Sequence, residues 1–347
     1  MNIAFFSAVR YDSVIGGRTR RLCDELSHRH SVHFVEMPSL RHPGFFRADQ
    51  PAINLFRYRL APLPGVLHKF DPVKERWNRI TTKFLQRCLP DDVHAIVSTP
   101  FWLSIIKQLQ FKSVTYDFLD YICVQMPKTP LQAALQQECE LAEFSDRIFC
   151  VSRNLAAHWK SCCKRPVHFV LNGVQESYLH QPFQSPTSPV VGFCGALYEW
   201  IDYSLLEQTV SALPKVSFSF TGPIRNKQAI AGLSKYPNVT IHPAVPFEQV
   251  SAEIQKYSVG LIPFVKNDVS FFCSPLKMYE YLALGKTVLS TITGESGLPV
   301  VYADSTADFI SLLEKLLITP VSREICRKAV SSFTWERIAS QIERLLL

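Results

Sequence analysis

A chain of 347 residues, 47% of them hydrophobic and 19% charged, carries enough apolar material for two domains of ordinary size and excludes a disordered or low-complexity protein. The net charge of +7 sits in one half: residues 1–170 hold 23 Lys and Arg against 15 Asp and Glu, a difference of +8, and residues 171–347 hold 14 against 15, a difference of −1. A basic half can face nucleic acid, an anionic membrane or an anionic substrate. No basic N-terminal segment leads into an apolar run and a cleavage site, and no apolar stretch approaches a membrane span, so the expected location is the cytosol. The ten cysteines are scattered without a CxxC pair, and several, such as Cys150 and Cys194, lie inside apolar runs. That reads as reduced core thiols, not as a disulfide framework or a zinc site.

Short apolar strands alternate with amphipathic helices, the pattern of a parallel sheet covered on both faces. The first strand, 2–8, enters a loop ending in Gly16-Gly17 and then a helix over 18–29. A glycine pair after strand one lets backbone approach a ligand, although a plain tight turn explains it as well and the GxGxxG fingerprint is absent. A strand at 31–36, a loop at 38–51 and a strand at 53–60 follow. The helix predicted over 72–88 has an apolar stripe, Val73, Trp77, Ile80, Phe84 and Cys88, and a basic one, Arg76, Arg79, Lys83 and Arg87. The basic stripe is either the solvated face of a core helix or a surface for anionic lipid. Nucleic acid is disfavoured, because no exposed aromatics interleave with the basic residues.

Strand 95–100 precedes strand 113–120, which ends in two carboxylates, Asp117 and Asp120. Ligands gather at the carboxyl ends of strands in open α/β sheets, so each aspartate is a candidate general base; capping is the alternative role. Helix 131–144, strand 147–152, helix 153–162 and strand 166–171 complete the first half. Residues 178–189 hold three prolines and no formal charge, a linker composition. The second half repeats the architecture with strands 190–195, 216–221, 238–242, 259–264, 287–291 and 299–303, helices at 201–213, 226–235, 247–257, 275–284 and 306–317, and an amphipathic helix over 333–347.

The stretch 271–290 is the most informative. Ser274 suits a helix N-cap, Pro275 the first helical position and Gly285 the residue past the end. Leu276, Tyr279 and Ala283 fall on one face, and Lys277 and Glu280 share another. A cation in the first turn opposes the helix dipole unless an anion binds there, when backbone N–H groups and ammonium converge on it. A lysine for phosphate and a carboxylate for ribose would make a nucleotide site; a surface i,i+3 pair explains the spacing at least as well.

Taken with 145–152 (SDRIFCVS), 172–174 (NGV), 191–196 (VGFCGA) and 333–336 (FTWE), the run 274–288 (SPLKMYEYLALGKTV) resembles the glycosyltransferases of two-Rossmann-domain (GT-B) architecture over nearly the whole chain. It is most similar to family-4-like bacterial enzymes of exopolysaccharide and teichuronic acid synthesis, with some likeness to the xanthan glucuronosyltransferase. The resemblance implies an α/β protein with two Rossmann-like domains facing each other across a cleft: an acceptor domain at 1–170, a linker at 171–189, a nucleotide-sugar domain at 190–332, and a helix at 333–347 that packs back on the first domain. It implies Lys277 as the diphosphate lysine and Glu280 as the ribose carboxylate, with Ser274, Leu276 and Gly195 lining the donor site and Phe264 and the His242 turn near the base. Gly16 and Gly17 match the loop facing phosphates and acceptor, and Asp120, then Asp117, the acidic catalytic position. Two departures stand out: residues 195–202 lack the Arg and Lys common in the family, and Phe272 stands where a second Glu is usual.

The implied activity is sugar transfer from a nucleotide-diphosphate sugar, UDP-sugar first, to a glycan or lipid-linked acceptor in cell-surface polysaccharide synthesis. If the reaction inverts, Asp120 or Asp117 deprotonates the acceptor; if it retains, the leaving phosphate does so and the aspartates bind substrate. No cofactor and no metal is expected. The expected location is cytoplasmic, peripheral on the inner membrane face through Arg76, Arg79, Lys83 and Arg87. The competing readings are a nucleotide-sugar 2-epimerase-like isomerase and a non-catalytic sugar-nucleotide-binding protein.

Overall fold

The computed structural model describes residues 1–13, 17–39, 46–62, 71–120, 129–184, 187–293 and 297–347. The chain divides into two compact units, Met1–Leu171 with Glu336–Leu347, and Asn172–Trp335.

The first unit holds strands β1 (Asn2–Phe6), β2 (Ser31–Val35), β3 (Arg47–Ala52), β4 (Leu55–Arg59), β5 (Val93–Val97), β6 (Ser113–Phe118), β7 (Arg147–Cys150) and β8 (Val167–Phe169) in the order β3-β4-β2-β1-β5-β6-β7-β8. Every pairing is parallel except β3 with β4. All residues of β5 and β6 are buried, as expected of central parallel strands covered on both faces. The covering helices include α1 (Gly17–Ser27), α2 (Asp71–Cys88), α3 (Leu103–Ile106), α4 (Leu131–Phe144) and α5 (Arg153–Cys162).

The second unit holds α6 (Glu176–His180), then β9 (Val190–Cys194), α7 (Tyr203–Ala212), β10 (Ser217–Thr221), α8 (Lys227–Leu233), β11 (Val239–His242), α9 (Val250–Gln255), β12 (Val259–Ile262), α10 (Asp268–Phe272), α11 (Leu276–Ala283), β13 (Thr287–Ser290), β14 (Val300–Tyr302), α12 (Thr306–Ile318) and α13 (Arg323–Val330). Its six strands are parallel in the order β11-β10-β9-β12-β13-β14. Helix α14 (Trp335–Leu346) carries the chain from this unit into the first one.

Four local expectations need correction. Residues 47–52, read within a loop, form edge strand β3; five of its six residues are exposed, so no apolar alternation marks it. Helices α10 and α13 were not anticipated, and α6 stands at the start of the segment read as linker. The helix expected over 247–257 is a 3-10 turn, Phe247–Gln249, followed by α9. On α2 the buried face is Trp77, Thr81, Thr82 and Leu85, while Val73 and Ile80 of the predicted apolar stripe stand 37% and 44% exposed. The eight cysteines whose side chains are described are free thiols.

Candidate functional site

In the second unit, β9 lies between β10 and β12, both later in sequence, so the order of strand addition reverses at β9. Beyond the carboxyl ends of such strands an open α/β sheet offers a crevice. Gly195 follows β9 there, Gly222 follows β10, and Phe264 lies two residues past β12. A Cβ added to Gly195 would overlap Cε and Nζ of Lys277, and one on Gly222 would overlap the Gly195 carbonyl. Glycine at 195 thus lets the Lys277 side chain lie directly across the backbone. Its Nζ stands 5.6 Å from the Phe193 ring centroid, a cation–π distance.

Helix α11 presents this lysine. Met278, Tyr279, Tyr281, Leu282 and Ala283 are buried, whereas Leu276, Lys277 and Glu280 form one half-open stripe. Leu276 therefore lies off the packed face to which its spacing assigned it. The N-cap is Pro275, not Ser274, and no side chain caps the first turn, whose Met278 N–H donates to the Pro275 carbonyl at 3.1 Å. Ser274 serves the approach to the helix: its carbonyl accepts from Asn172 Nδ2 at 2.8 Å, and its hydroxyl lies 3.4 Å from that of Tyr279. Gly285, at φ +69°, ends the helix as its position predicted. Tyr281 is buried and accepts from the Cys194 backbone N–H at 2.9 Å, tying α11 to the end of β9. Burial pushes the Cys194 thiol up to about 12, Glu280 adding to the rise and Lys277 opposing it, so both charges act on the end of β9.

The other donor-side candidates are less central. Phe264 is 7% exposed, bridges Ile201 and sits 6.5 Å from Phe193, so it forms wall more than contact surface. His242 ends the edge strand β11, two strands from β9, or roughly 10 Å at ordinary strand spacing. Its carbonyl accepts from Gly222 N–H at 3.2 Å.

In the first unit, the aspartates part company. Asp117 is fully buried inside β6, and both its oxygens take hydrogen bonds from Arg18 of α1, Nη2 to Oδ1 at 3.1 Å and Nε to Oδ2 at 3.3 Å. Arg18 Nη1 also donates to the Leu171 carbonyl at 2.6 Å. So enclosed, Asp117 anchors α1 to β6. Asp120, two residues past β6, is half-buried, and burial raises its pKa above the ordinary aspartate value. Gly17 opens α1; Gly16 lies outside the described residues.

Sequence reasoning missed Arg18, which pairs across 99 positions, and Arg225, whose guanidinium lies 4.3 Å from the Tyr198 ring centroid beside Gly195 and Gly222 in the chain. Arg76, Arg79, Lys83 and Arg87 are all exposed on α2. Among the described residues no group of three or more His, Cys, Asp and Glu could hold a metal ion, and no helix is long and apolar enough to cross a membrane.

No family model matches the chain. Over 172 residues it is 28% identical to a Bacillus subtilis (strain 168) protein bearing the name of a teichuronic acid biosynthesis glycosyltransferase, TuaH. That match spans 44% of this chain and 43% of the relative, less than half of either. Solved structures match along nearly the full length. Sucrose-phosphate synthase from Thermosynechococcus elongatus gives a TM-score of 0.76 at 16% identity, covering 99% of this chain and 98% of that one. Anabaena HepE, solved with UDP and glucose, gives 0.71 at 14%, covering 100% and 99%. A UDP-forming trehalose-phosphate synthase from Burkholderia xenovorans, solved with glucose-6-phosphate, gives 0.73 at 11%, covering 99% of each chain. The fold is that of the two-Rossmann-domain glycosyltransferases.

Proposed function

We propose that this chain is a glycosyltransferase that moves a sugar from a nucleotide-diphosphate sugar, UDP-linked first, to a glycan or lipid-linked acceptor in cell-surface polysaccharide synthesis. The observation that carries this reading is Lys277 laid across Gly195 at the point where strand order reverses, beside the uncapped start of α11 and one turn from Glu280. UDP and UDP-forming chemistry in the names of the structural neighbours, and teichuronic acid in that of the sequence relative, support the substrate class.

Breaking the sugar–phosphate bond puts negative charge on the leaving diphosphate. Lys277 and the first-turn N–H groups of α11 stabilise that charge as it develops, which is where a fixed cation accelerates the step. Glu280 accepts from ribose hydroxyls. Asp120 takes the acceptor proton, its raised pKa placing it nearer to useful basicity than an ordinary aspartate. The Arg18–Asp117 pair positions the end of β6 from which Asp120 extends. No step is assigned to a metal.

The exposed face of α2 supplies the membrane part of the proposal. Val73 and Ile80, seven residues apart, share a face with Arg76, Lys83 and Arg87, so apolar side chains flanked by cations point outward together. Equal binding to neutral and anionic vesicles at low salt would remove this part.

A thermal-shift panel of UDP, GDP, ADP and dTDP on wild type and Lys277→Ala tests the donor site. A nucleotide at a hundred times its dissociation constant adds about 2.7 kcal/mol of stability. One responding nucleotide whose shift vanishes in the variant is the expected result; no shift with any of the four overturns the reading.

A further inference from the structure

The segment Gly195–Asp202 after β9 contains no lysine or arginine, and in the reading above the cation set against the donor's diphosphate is Lys277, from α11. The structure brings a second cation to this segment from the neighbouring strand. The loops after β9 and β10 are joined by backbone hydrogen bonds, Gly195 N–H to Thr221 O at 2.7 Å, Leu197 N–H to Pro223 O at 2.9 Å and Arg225 N–H to Leu197 O at 3.2 Å, with a parallel bridge between Leu197 and Ile224. This register sets Arg225 over Tyr198. The ring is 7% exposed and packs 4.8 Å from Trp200, so the platform under the guanidinium is fixed. The guanidinium itself is on the exposed side, and among the described residues it meets no carboxylate, unlike those of Arg18, Arg29, Arg57 and Arg59. A stacked guanidinium keeps its N–H edge free while its plane is held, the arrangement suited to a phosphoryl oxygen.

We propose that Arg225 is a second oxyanion contact of the donor unit, supplying from the β10 loop the cation that the β9 loop lacks. The inference rests on the nucleotide-sugar reading. The oxyanion is either the diphosphate of the donor or a phosphate carried by the acceptor, and the two sources are separable by experiment.

The test is calorimetric titration of UDP and of uridine into wild type, Lys277→Ala, Arg225→Ala and Arg225→Lys, at low and raised ionic strength, with melting curves for each variant. If the donor supplies the oxyanion, Arg225→Ala weakens UDP about tenfold with the melting temperature unchanged, leaves uridine binding alone and reduces the salt dependence. Arg225→Lys recovers part of the affinity, since it keeps the charge and loses the planar fork. If the acceptor supplies it, UDP affinity is unchanged and KM for a phosphate-bearing acceptor rises, with KM for the donor constant. Unchanged UDP affinity together with unchanged kinetics for both substrates, in protein whose Lys277→Ala variant has lost UDP, overturns the assignment of Arg225 alone. Wild-type protein that binds none of the nucleoside diphosphates overturns the donor-site reading and this inference with it.

Discussion

Replacing Asp117 by alanine takes from the Arg18 guanidinium, which is 4% exposed, the carboxylate that both its Nε and its Nη2 now bond. Removing one partner of a buried pair costs about 3–5 kcal/mol, so Asp117→Ala should lower the urea midpoint sharply or prevent folding. Asp120→Asn should do the opposite: hold or raise the midpoint, because burial already disfavours its charge, while sugar transfer collapses. An Asp120→Asn enzyme at full rate would remove that residue from the chemistry. A third carboxyl supplies a pH signature. Glu138 of α4 is buried, and burial raises its pKa to about 8, the hydrogen bond from the Tyr116 hydroxyl at 3.0 Å opposing part of the rise. A folded pKa above the unfolded one means that stability is full below the unfolded value and is lost as pH climbs towards 8. The loss amounts to about 1.4 kcal/mol for each pH unit that separates the two values, a few kcal/mol in all. Glu138→Gln should flatten the fall in melting temperature between pH 5 and pH 8, with its largest gain at the alkaline end; parallel curves for variant and wild type would show that Glu138 does not titrate in this way.

At the scale of elements, the site depends on a lysine from one helix fitting over a glycine at the end of one strand. Gly195→Ala puts a methyl group where Lys277 Cε and Nζ now lie, so the lysine must leave the backbone it covers. The end of a flexible side chain can move, so the expected stability loss is small, about 1 kcal/mol or less, while nucleoside diphosphate affinity falls towards that of Lys277→Ala. A variant that binds UDP as wild type does would separate the two residues. Lys277, Glu280 and Gly285 were legible in the sequence because a helix of 3.6-residue period places them by local rules alone. The start of that helix lies one position from where the sequence suggests, because both Ser274 and Pro275 carry N-terminal signals and the side chain of Ser274 turns to Tyr279 instead. What local rules cannot give is a partner: the pairing of Asp117 with Arg18 and the stacking of Arg225 on Tyr198 are set by strand order and by loop register. Strand β3 escaped for a related reason, since an edge strand with five exposed residues owes its form to its hairpin with β4 and not to burial.

At the scale of the whole molecule, the first unit is closed by residues that arrive last in the chain. Ile338, Ala339, Ile342 and Leu346 on α14 are buried, Gln341 Nε2 donates to the Phe169 carbonyl at 2.9 Å, and Glu343 pairs with Arg29 at 3.0 Å and with His30. All three partners belong to the first unit, as does the helix from Glu336 on. Burying each of the three large aliphatic side chains contributes about 1.5–3 kcal/mol, a sum comparable to the total stability of about 5–15 kcal/mol of an ordinary domain. The basic half of the sequence is therefore not an independent folding unit as cut at residue 171, even though the contacts divide there. A fragment of residues 1–171 should melt well below the full chain and bind a hydrophobic dye along the uncovered surface. A synthetic peptide of residues 335–347 added in trans should restore the melting temperature and displace the dye, and the same peptide with Ile342→Ala should do so only at higher concentration. A fragment as stable as the full chain, indifferent to the peptide, would mean that α14 rests on the first unit without holding it together.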